Sequence, residues 1–162
     1  MLNLSVRIQS EPFDVGQELR RLRQREDGSW DTRVGAVASF VGTVRDINEG
    51  DAVSTLTLEH YPGMTEKSIQ EILDQAHSRW TLHSARVIHR IGPLEPADEI
   101  VWVGVSSSHR EAALEACAFI MDFLKSKAPF WKKEGIQKQG QPQGDRWVAA
   151  RIKDEEALKR WN

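Results

Sequence analysis

The sequence contains little cysteine and no long apolar run. Cys117 is its one cysteine in 162 residues, which excludes an intramolecular disulfide and a cysteine-rich metal site. Apolar and polar side chains alternate from Leu2 to Ile8, unlike the apolar core of a signal peptide. No stretch approaches the ~18 apolar residues of a membrane helix. We therefore expect a cytoplasmic protein that does not bind a membrane.

An excess of basic residues is also missing. The chain has 22 Lys and Arg against 24 Asp and Glu, which gives a formal net charge of -2. Proteins that bind bulk nucleic acid are usually basic, so that class of partner is disfavoured. The sequence also lacks a Walker loop, a dinucleotide fingerprint, a nucleophile elbow and a metal-ligand spacing. We expect no nucleic-acid partner, no cofactor and no metal.

The hydrophobic pattern predicts an α+β fold in a single domain over residues 1–162. Alternating and β-branched runs predict strands at residues 2–8, 34–44, 53–60, 85–91, 99–105 and 147–152. Apolar stripes predict helices after Asp14, from Thr65, from Ser108 to Pro129, and over residues 155–161. Capping boxes are expected for Asp14 with Gln17 and for Ser108 with Glu111. A polar loop is expected at 139–144, and the irregular order of elements favours a mostly antiparallel sheet.

The segment from Lys125 to Glu134 is the densest in reactive side chains, with four lysines and two aromatic residues. One interpretation is a solvated basic helix terminus, which the helix macrodipole favours. The other is an anion pocket in which a lysine, desolvated beside other cations, acts as an acid, base or nucleophile. Phe130 and Trp131 fit either the wall of such a pocket or the core. The segment alone leaves both interpretations open.

Two further groups are candidates for binding an anion. Residues 106–110 stand at the predicted start of the long helix, where free N–H groups together with His109 and Arg110 suit a phosphate. Hydroxyl capping would explain the serines there equally well. Arg45 follows a predicted strand, although a lone arginine at such a place is usually a surface residue. Cys117 falls in the apolar stripe of the long helix and is expected in the core rather than as a nucleophile.

Several strings, in the same order and spacing, resemble the large catalytic subunits of molybdopterin synthases. They are Gly42-Thr43-Val44-Arg45, Leu58-Glu59-His60-Tyr61-Pro62-Gly63-Met64, Ile88-His89-Arg90-Ile91-Gly92, Ser107-Ser108-His109-Arg110, Phe119-Ile120-Met121-Asp122-Phe123-Leu124-Lys125, Ala128-Pro129-Phe130-Trp131-Lys132-Lys133-Glu134 and Gly144-Asp145-Arg146-Trp147. The absence of a poised cysteine fits this resemblance, because a chain with no obvious sulfur carrier of its own must receive sulfur from elsewhere. Residues 135–143 are longer and richer in Gln than is typical of the family.

The resemblance implies a sulfurtransferase that converts cyclic pyranopterin monophosphate to molybdopterin. It implies an α/β hammerhead fold, a homodimer at the centre of a heterotetramer, and a ubiquitin-like small subunit that donates sulfur from its C-terminal thiocarboxylate. It also implies catalytic roles for Lys125 and Lys132. Substrate binding is implied for Thr43, Val44, Arg45, His109, Arg110, Lys125, Lys132, Lys133 and Glu134, with Arg146 as a further candidate.

The predicted long helix limits how these residues share one substrate. His109 and Lys125 are sixteen residues apart, so at ~1.5 Å per helical residue they lie ~24 Å apart. One small pterin cannot touch both in a single chain. We therefore hypothesise a composite site in which one subunit supplies Arg45, Lys125 and Lys132, and its dimer mate supplies His109 and Arg110.

Three alternatives remain at this stage. The first is a nucleic-acid binder that uses residues 125–138 as a basic, aromatic stacking platform. The second is another phosphate-handling enzyme on the same scaffold. The third is an inactive subunit that has kept its fold, which the presence of both lysines and all three phosphate candidates disfavours.

Overall fold

The computed structural model describes residues 2–48, 50–138, 141–148 and 152–162. Its elements, in chain order, are β1 (Asn3–Gln9), α1 (Val15–Arg21), β2 (Ala36–Thr43), β3 (Ile47–Asn48), β4 (Asp51–His60), α2 (Met64–Arg79), β5 (Ser84–Arg90), β6 (Gly92–Leu94), β7 (Glu99–Ser107), α3 (Arg110–Lys127), β8 (Phe130–Lys138), β9 (Gln141–Trp147), α4 (Ile152–Ala157) and a 3-10 helix (Leu158–Trp161).

The strands form two sheets. The first has the order β1-β5-β7-β2, in which β1 and β5 are parallel and the other neighbours antiparallel. The second has the order β3-β4-β8-β9, with β6 also paired to β4, and all of its pairs are antiparallel. The α+β class with mostly antiparallel strands, expected from the sequence, is confirmed.

The main core lies between the first sheet and helices α2 and α3. Its buried side chains come from both helices and from β5 and β7, and they include Ile69, Leu73, Val87, Val103, Phe119 and Ile120. The other face of the sheet is covered by α1 and the residues after it, where Leu22, Ile88 and Trp102 form a smaller cluster. Gly104 is required there, because a Cβ atom would lie 2.3 Å from the Trp102 ring. Burial of these apolar groups helps to hold α1 on the sheet.

The N-caps expected at Asp14 and Ser108 have different outcomes. Asp14 caps α1 as expected, since its Oδ1 accepts a hydrogen bond of 3.0 Å from the backbone N–H of Gln17. The prediction for Ser108 is wrong, because the N-cap of α3 is His109. The Ser108 hydroxyl donates instead to the Arg33 carbonyl at 3.2 Å and lies 2.8 Å from Nε2 of His83. A hydroxyl held by these two partners does not cap the first turn of the helix.

The C-terminal region differs from the prediction. Residues 141–144, expected in a polar loop, belong to β9, which pairs antiparallel with β8. The strand expected at 147–152 is wrong, because β9 ends at Trp147 and α4 begins at Ile152. An edge strand with exposed sides needs no apolar alternation, and it tolerates Pro142. Residues 139, 140 and 149–151 of these two predictions lie outside the described residues.

The end of the chain returns to the main core. The helix expected over 155–161 is present as the end of α4 and the 3-10 helix. Trp161 packs edge-on against Trp80 and Phe119, with ring centroids 5.6 Å and 5.4 Å away. Within the described ranges, no helix is long and apolar enough to cross a membrane.

Candidate active site

Strand β8 carries the lysine cluster, and its register sorts the side chains onto two faces. Lys132 pairs with Leu58 of β4, and Glu134 pairs with Leu56. Both leucines are buried, and paired residues of a sheet share a face. Lys132 and Glu134 therefore point toward the interior. The interpretation of this segment as a solvated helix terminus is wrong beyond Lys127, because α3 ends there.

The opposite face of β8 is the outer one. Because successive strand residues alternate, Trp131 and Lys133 lie on this face, and Trp131 is about half exposed. Lys133 pairs with Trp147 of β9. Its Nζ atom is 5.3 Å from the centre of the Trp147 ring and 4.0 Å from Oδ2 of Asp145. Two consecutive lysines thus occupy different environments.

A buried histidine borders the interior face near Lys132. The ring of His89 stacks on Phe130, with centroids 3.8 Å apart and planes at 18°. Its Nδ1 lies 2.8 Å from the Arg90 carbonyl, so Nδ1 carries the proton and Nε2 of the neutral ring is an acceptor. Burial lowers the pKa of His89 to about 4, and the charges of Lys132 and His60 add to this effect. His89 is therefore uncharged near pH 7.

The Arg45 segment lies at the other end of the interior face. Val44 is buried, and its backbone pairs with the turn before β7 through hydrogen bonds to Asp98 and Ala97 of 2.9 Å and 2.8 Å. Arg45, which follows it, is exposed. An open cavity of about 540 Å³ is lined by Val44, Arg45, Asp46, Ile47, Pro96 and Ala97. A cavity with a guanidinium on its wall suits an anionic ligand.

A network of polar side chains joins Arg45 to β8 and β9. Arg45 donates to Oδ1 of Asn48 at 3.3 Å, and Asn48 donates through Nδ2 to Oε1 of Glu134 at 2.6 Å. Arg146 donates to Oε2 of Glu134 at 3.2 Å and to Asp51 at 2.7 Å. The structure thus brings together three of the residues singled out in the sequence: Arg45, Glu134 and Arg146.

Of the remaining candidates, Thr43 is exposed at the end of β2, and the others lie at the two ends of α3. His109 and Arg110 are exposed at its first turn, and Lys125 is exposed in its last turn. The ~24 Å separation expected from one continuous helix therefore holds. Since α3 ends at Lys127 and β8 begins at Phe130, Lys125 lies at the end of the helix nearest Lys132.

The serines before α3 have structural roles. Ser106 and Ser107 are buried in β7, and the Ser107 hydroxyl donates to the Thr81 carbonyl at 2.8 Å. Of residues 106–110, His109 and Arg110 are exposed at the start of α3 and stay candidates for binding a phosphate. Their position depends on Gly35, because a Cβ atom on Gly35 would lie 2.2 Å from the Ser108 carbonyl oxygen.

Cys117 is buried as expected, and burial raises the pKa of its thiol to about 11. It is therefore protonated and unreactive near neutral pH. Among the residues that the structure describes, no group of three or more His, Cys, Asp or Glu side chains is placed to hold a metal ion.

Sequence reasoning missed two residues of the site, Asn48 and His89. Asn48 ends the two-residue strand β3, and the carboxylate it binds is 86 residues away along the chain, so no local pattern marks it. The string Ile88-His89-Arg90 was noted for its resemblance only. Its place inside the β-branched run 85–91, which predicts a strand, is the signal that could have drawn attention to His89.

These features define an α+β domain with cationic groups at the interior face of its second sheet and at both ends of α3. Comparison with known proteins gives the family. The MoaE protein family model matches residues 8–127. The molybdopterin synthase catalytic subunit of Escherichia coli is 52% identical over 161 residues, which is 99% of this chain and 100% of that one. The chain belongs to the MoaE family.

Solved structures agree with this assignment. The molybdopterin cofactor biosynthesis protein E of Burkholderia multivorans aligns with a TM-score of 0.77 and 44% identity, over 98% of this chain and 97% of that one. A complex of subunits 1 and 2 of the molybdopterin-converting factor of Helicobacter pylori shares the fold, with a TM-score of 0.67 and 18% identity over 86% of this chain and 88% of that one. The family and the enzyme class expected from the sequence, the catalytic subunit of molybdopterin synthase, are confirmed.

Proposed function

We propose that this chain transfers sulfur to cyclic pyranopterin monophosphate to form molybdopterin, using the site built by Lys132, Lys125 and the Arg45 segment. The main support for this proposal is that Lys132 lies on the interior face of the second sheet, the same face as the network that ends at Arg45. An anionic pterin and an anionic sulfur donor both fit such cationic surroundings. Reconstitution of the reaction with the purified substrate and donor tests the proposal.

The proposed sulfur donor is a ubiquitin-like small subunit that ends in a thiocarboxylate. Its tail would enter as an extended strand whose glycines fit a narrow channel. The thiocarboxylate sulfur bonds to a side-chain carbon of the pterin while that carbon's bond to oxygen breaks, and the oxygen leaves as a freed phosphate oxygen or, once protonated, as water. Water then cleaves the acyl–sulfur bond, so the sulfur stays on the pterin and the small subunit leaves as a carboxylate. Two such transfers supply the two sulfur atoms.

The side chains divide into phosphate ligands and groups at the reacting atoms. Arg45, His109 and Arg110 hold the phosphate, and Thr43 and Val44 line the site beside Arg45. Lys125 and Lys132 guide the thiocarboxylate, stabilise the negative charge that develops and move protons during the two steps. The buried ring of His89 gives Lys132 an uncharged neighbour, and electrostatic attraction is stronger where water is excluded.

The distance along α3 supports a site shared across a homodimer, which with two small subunits makes a heterotetramer. Arg45, Lys125 and Lys132 come from one protomer, while His109 and Arg110 come from its mate. We place the assembly in the cytoplasm and treat residues 1–162 as one domain, since residues from Leu4 to Trp161 contribute to one core.

Complementation between inactive variants tests the shared site. Lys125→Ala and Arg110→Ala, mixed in equal amounts and allowed to exchange, form mixed dimers in which one of the two sites is intact. Random exchange makes half of the dimers mixed, so about a quarter of the wild-type turnover should return. The control mixes His109→Ala with Arg110→Ala, which affect the same half of the site and cannot complement. Equal turnover in the two mixtures, with exchange confirmed, would contradict the shared site.

A further inference from the structure

We infer that Asn48 is a positioning residue for Arg45: its side-chain amide holds the guanidinium at the proposed phosphate site by linking it to the buried carboxylate of Glu134. The inference rests on the proposed function and adds to it a residue that touches no substrate.

The position of Asn48 lets its amide reach both partners. Asn48 ends the two-residue strand β3 and is 8% exposed. Its Oδ1 accepts from Arg45 at 3.3 Å, and its Nδ2 donates to Oε1 of Glu134 at 2.6 Å. One side chain that accepts from a guanidinium and donates to a carboxylate must carry both an acceptor and a donor. The carboxamide does this without a charge of its own.

The charges around Asn48 explain why an amide is suited to this place. The other oxygen of Glu134 accepts from Arg146 at 3.2 Å, and Arg146 also forms an ion pair of 2.7 Å with Asp51. Glu134 is thus balanced by Arg146 rather than by Arg45. Among the described residues of this network, Arg45 contacts an amide rather than a carboxylate, so its positive charge stays available for an anionic ligand while its direction is fixed.

The same geometry changes the role of Glu134. The resemblance implies that this carboxylate binds substrate, yet its two oxygens are engaged by Asn48 and Arg146. Glu134 is 5% exposed. A free carboxylate would also repel a phosphorylated pterin. In this account Glu134 anchors Asn48, and through it the segment that carries Arg45.

The test compares Asn48→Ala and Asn48→Asp with wild type in binding of cyclic pyranopterin monophosphate by calorimetry, without the small subunit. Asn48→Asp should weaken binding the most, on the order of tenfold or more, because its carboxylate would pair with Arg45 and repel Glu134. Asn48→Ala should weaken binding less. Thermal unfolding of each variant shows that it is folded.

A double-mutant cycle separates positioning from general loosening of the fold. In an Arg45→Ala background, Asn48→Ala should have little further effect on the Kd, because the group it positions is gone. Ser54→Ala is the matched control, since Ser54 also links β4 to β8, through the Gly135 carbonyl at 3.3 Å, without touching Arg45 or Glu134. Its Kd should stay near that of the wild type. Additive effects of Asn48→Ala and Arg45→Ala would overturn the inference.

Turnover is measured on the same variants with the thiocarboxylated small subunit. If Asn48 acts through a phosphate ligand, Asn48→Ala should raise KM for the pterin more than it lowers kcat. A loss confined to kcat would contradict the inference. If wild type binds the pterin but forms no product, the proposed function fails while the Kd cycle still decides the role of Asn48. Absence of binding by wild type would overturn both.

Discussion

Lys132 and Lys133 are consecutive in the chain but lie on opposite faces of β8. Lys132 shares the interior face with buried Leu58, and Lys133 stands over the exposed ring of Trp147 on the outer face. One pocket in one protomer cannot use both lysines in the same way. The family resemblance alone, which implies substrate binding for both, does not separate them.

The two lysines should therefore differ in their effect on catalysis. Lys132→Ala is expected to lower kcat by about 100-fold or more, because a cation at the reacting atoms is lost. Lys133→Ala should lower it by less than about tenfold, since it loses a partly exposed contact worth at most about 1 kcal/mol. Steady-state kinetics of the two variants decide this, and equal losses would contradict the assignment of faces.

Protonation of His89 should make stability depend on pH. Its pKa is lowered from 6.5 to about 4 in the folded protein by burial, whereas the unfolded chain keeps a value near 6.5. Between these values the unfolded state binds a proton that the folded state does not, so stability falls as pH falls from 6.5 to 4. The loss levels off below pH 4 and amounts to about 3 kcal/mol in total.

Denaturant titrations at several pH values between 4 and 7 measure this effect. Asn at this position keeps a donor for the Arg90 carbonyl but does not titrate. The free energy of unfolding of His89→Asn should therefore change less with pH than that of wild type in this range. The variant is expected to be less stable overall, because the stacking on Phe130 is lost. Identical slopes for the two proteins would show that His89 does not titrate as described.

Gly35 should be sensitive to a single added methyl group. A Cβ atom there would lie 2.2 Å from the backbone carbonyl oxygen of Ser108, which immediately precedes His109. Gly35→Ala is expected to lower the free energy of unfolding by about 1–3 kcal/mol. It should also weaken binding of the pterin phosphate, because it displaces the start of α3. Gly16→Ala is the control, because its Cβ lies 3.3 Å from a side-chain oxygen and helices favour Ala by about 1 kcal/mol. A Gly35→Ala protein as stable as this control would contradict the packing.

Cys117 should be dispensable for sulfur transfer. Burial raises its pKa to about 11, so the thiolate needed for nucleophilic attack is scarce near pH 8. Cys117→Ala should keep turnover within about twofold of wild type and lose about 1 kcal/mol of stability. Iodoacetamide should label the thiol only after denaturation. Loss of turnover in Cys117→Ala would mean that the chain carries sulfur itself.

Local patterns predicted the elements whose structure is determined locally. The Asp14 cap and the strand at 53–60 follow from residues next to each other in sequence, and both are present. The Ser108 cap failed because distant partners, Arg33 and His83, bind its hydroxyl. Strand β9 escaped prediction because an exposed edge strand needs no apolar pattern.

The same limit applies to the candidate site. The resemblance gave Arg45, Lys132 and Glu134 as members, but not their faces or partners. Asn48 was missed because its role depends on a carboxylate that only the β4–β8 pairing brings near. The register of the paired strands decides which of the neighbouring polar residues face the substrate. No short stretch of sequence encodes that register.

The central claim is that this chain transfers sulfur to the pterin through a site that includes Lys125. The most direct measurement is an anaerobic incubation of the protein with cyclic pyranopterin monophosphate and the thiocarboxylated small subunit, scored for dithiolene product. We expect product with wild type and its loss with Lys125→Ala. Absence of product with wild type, despite a demonstrated complex with the small subunit, would contradict it.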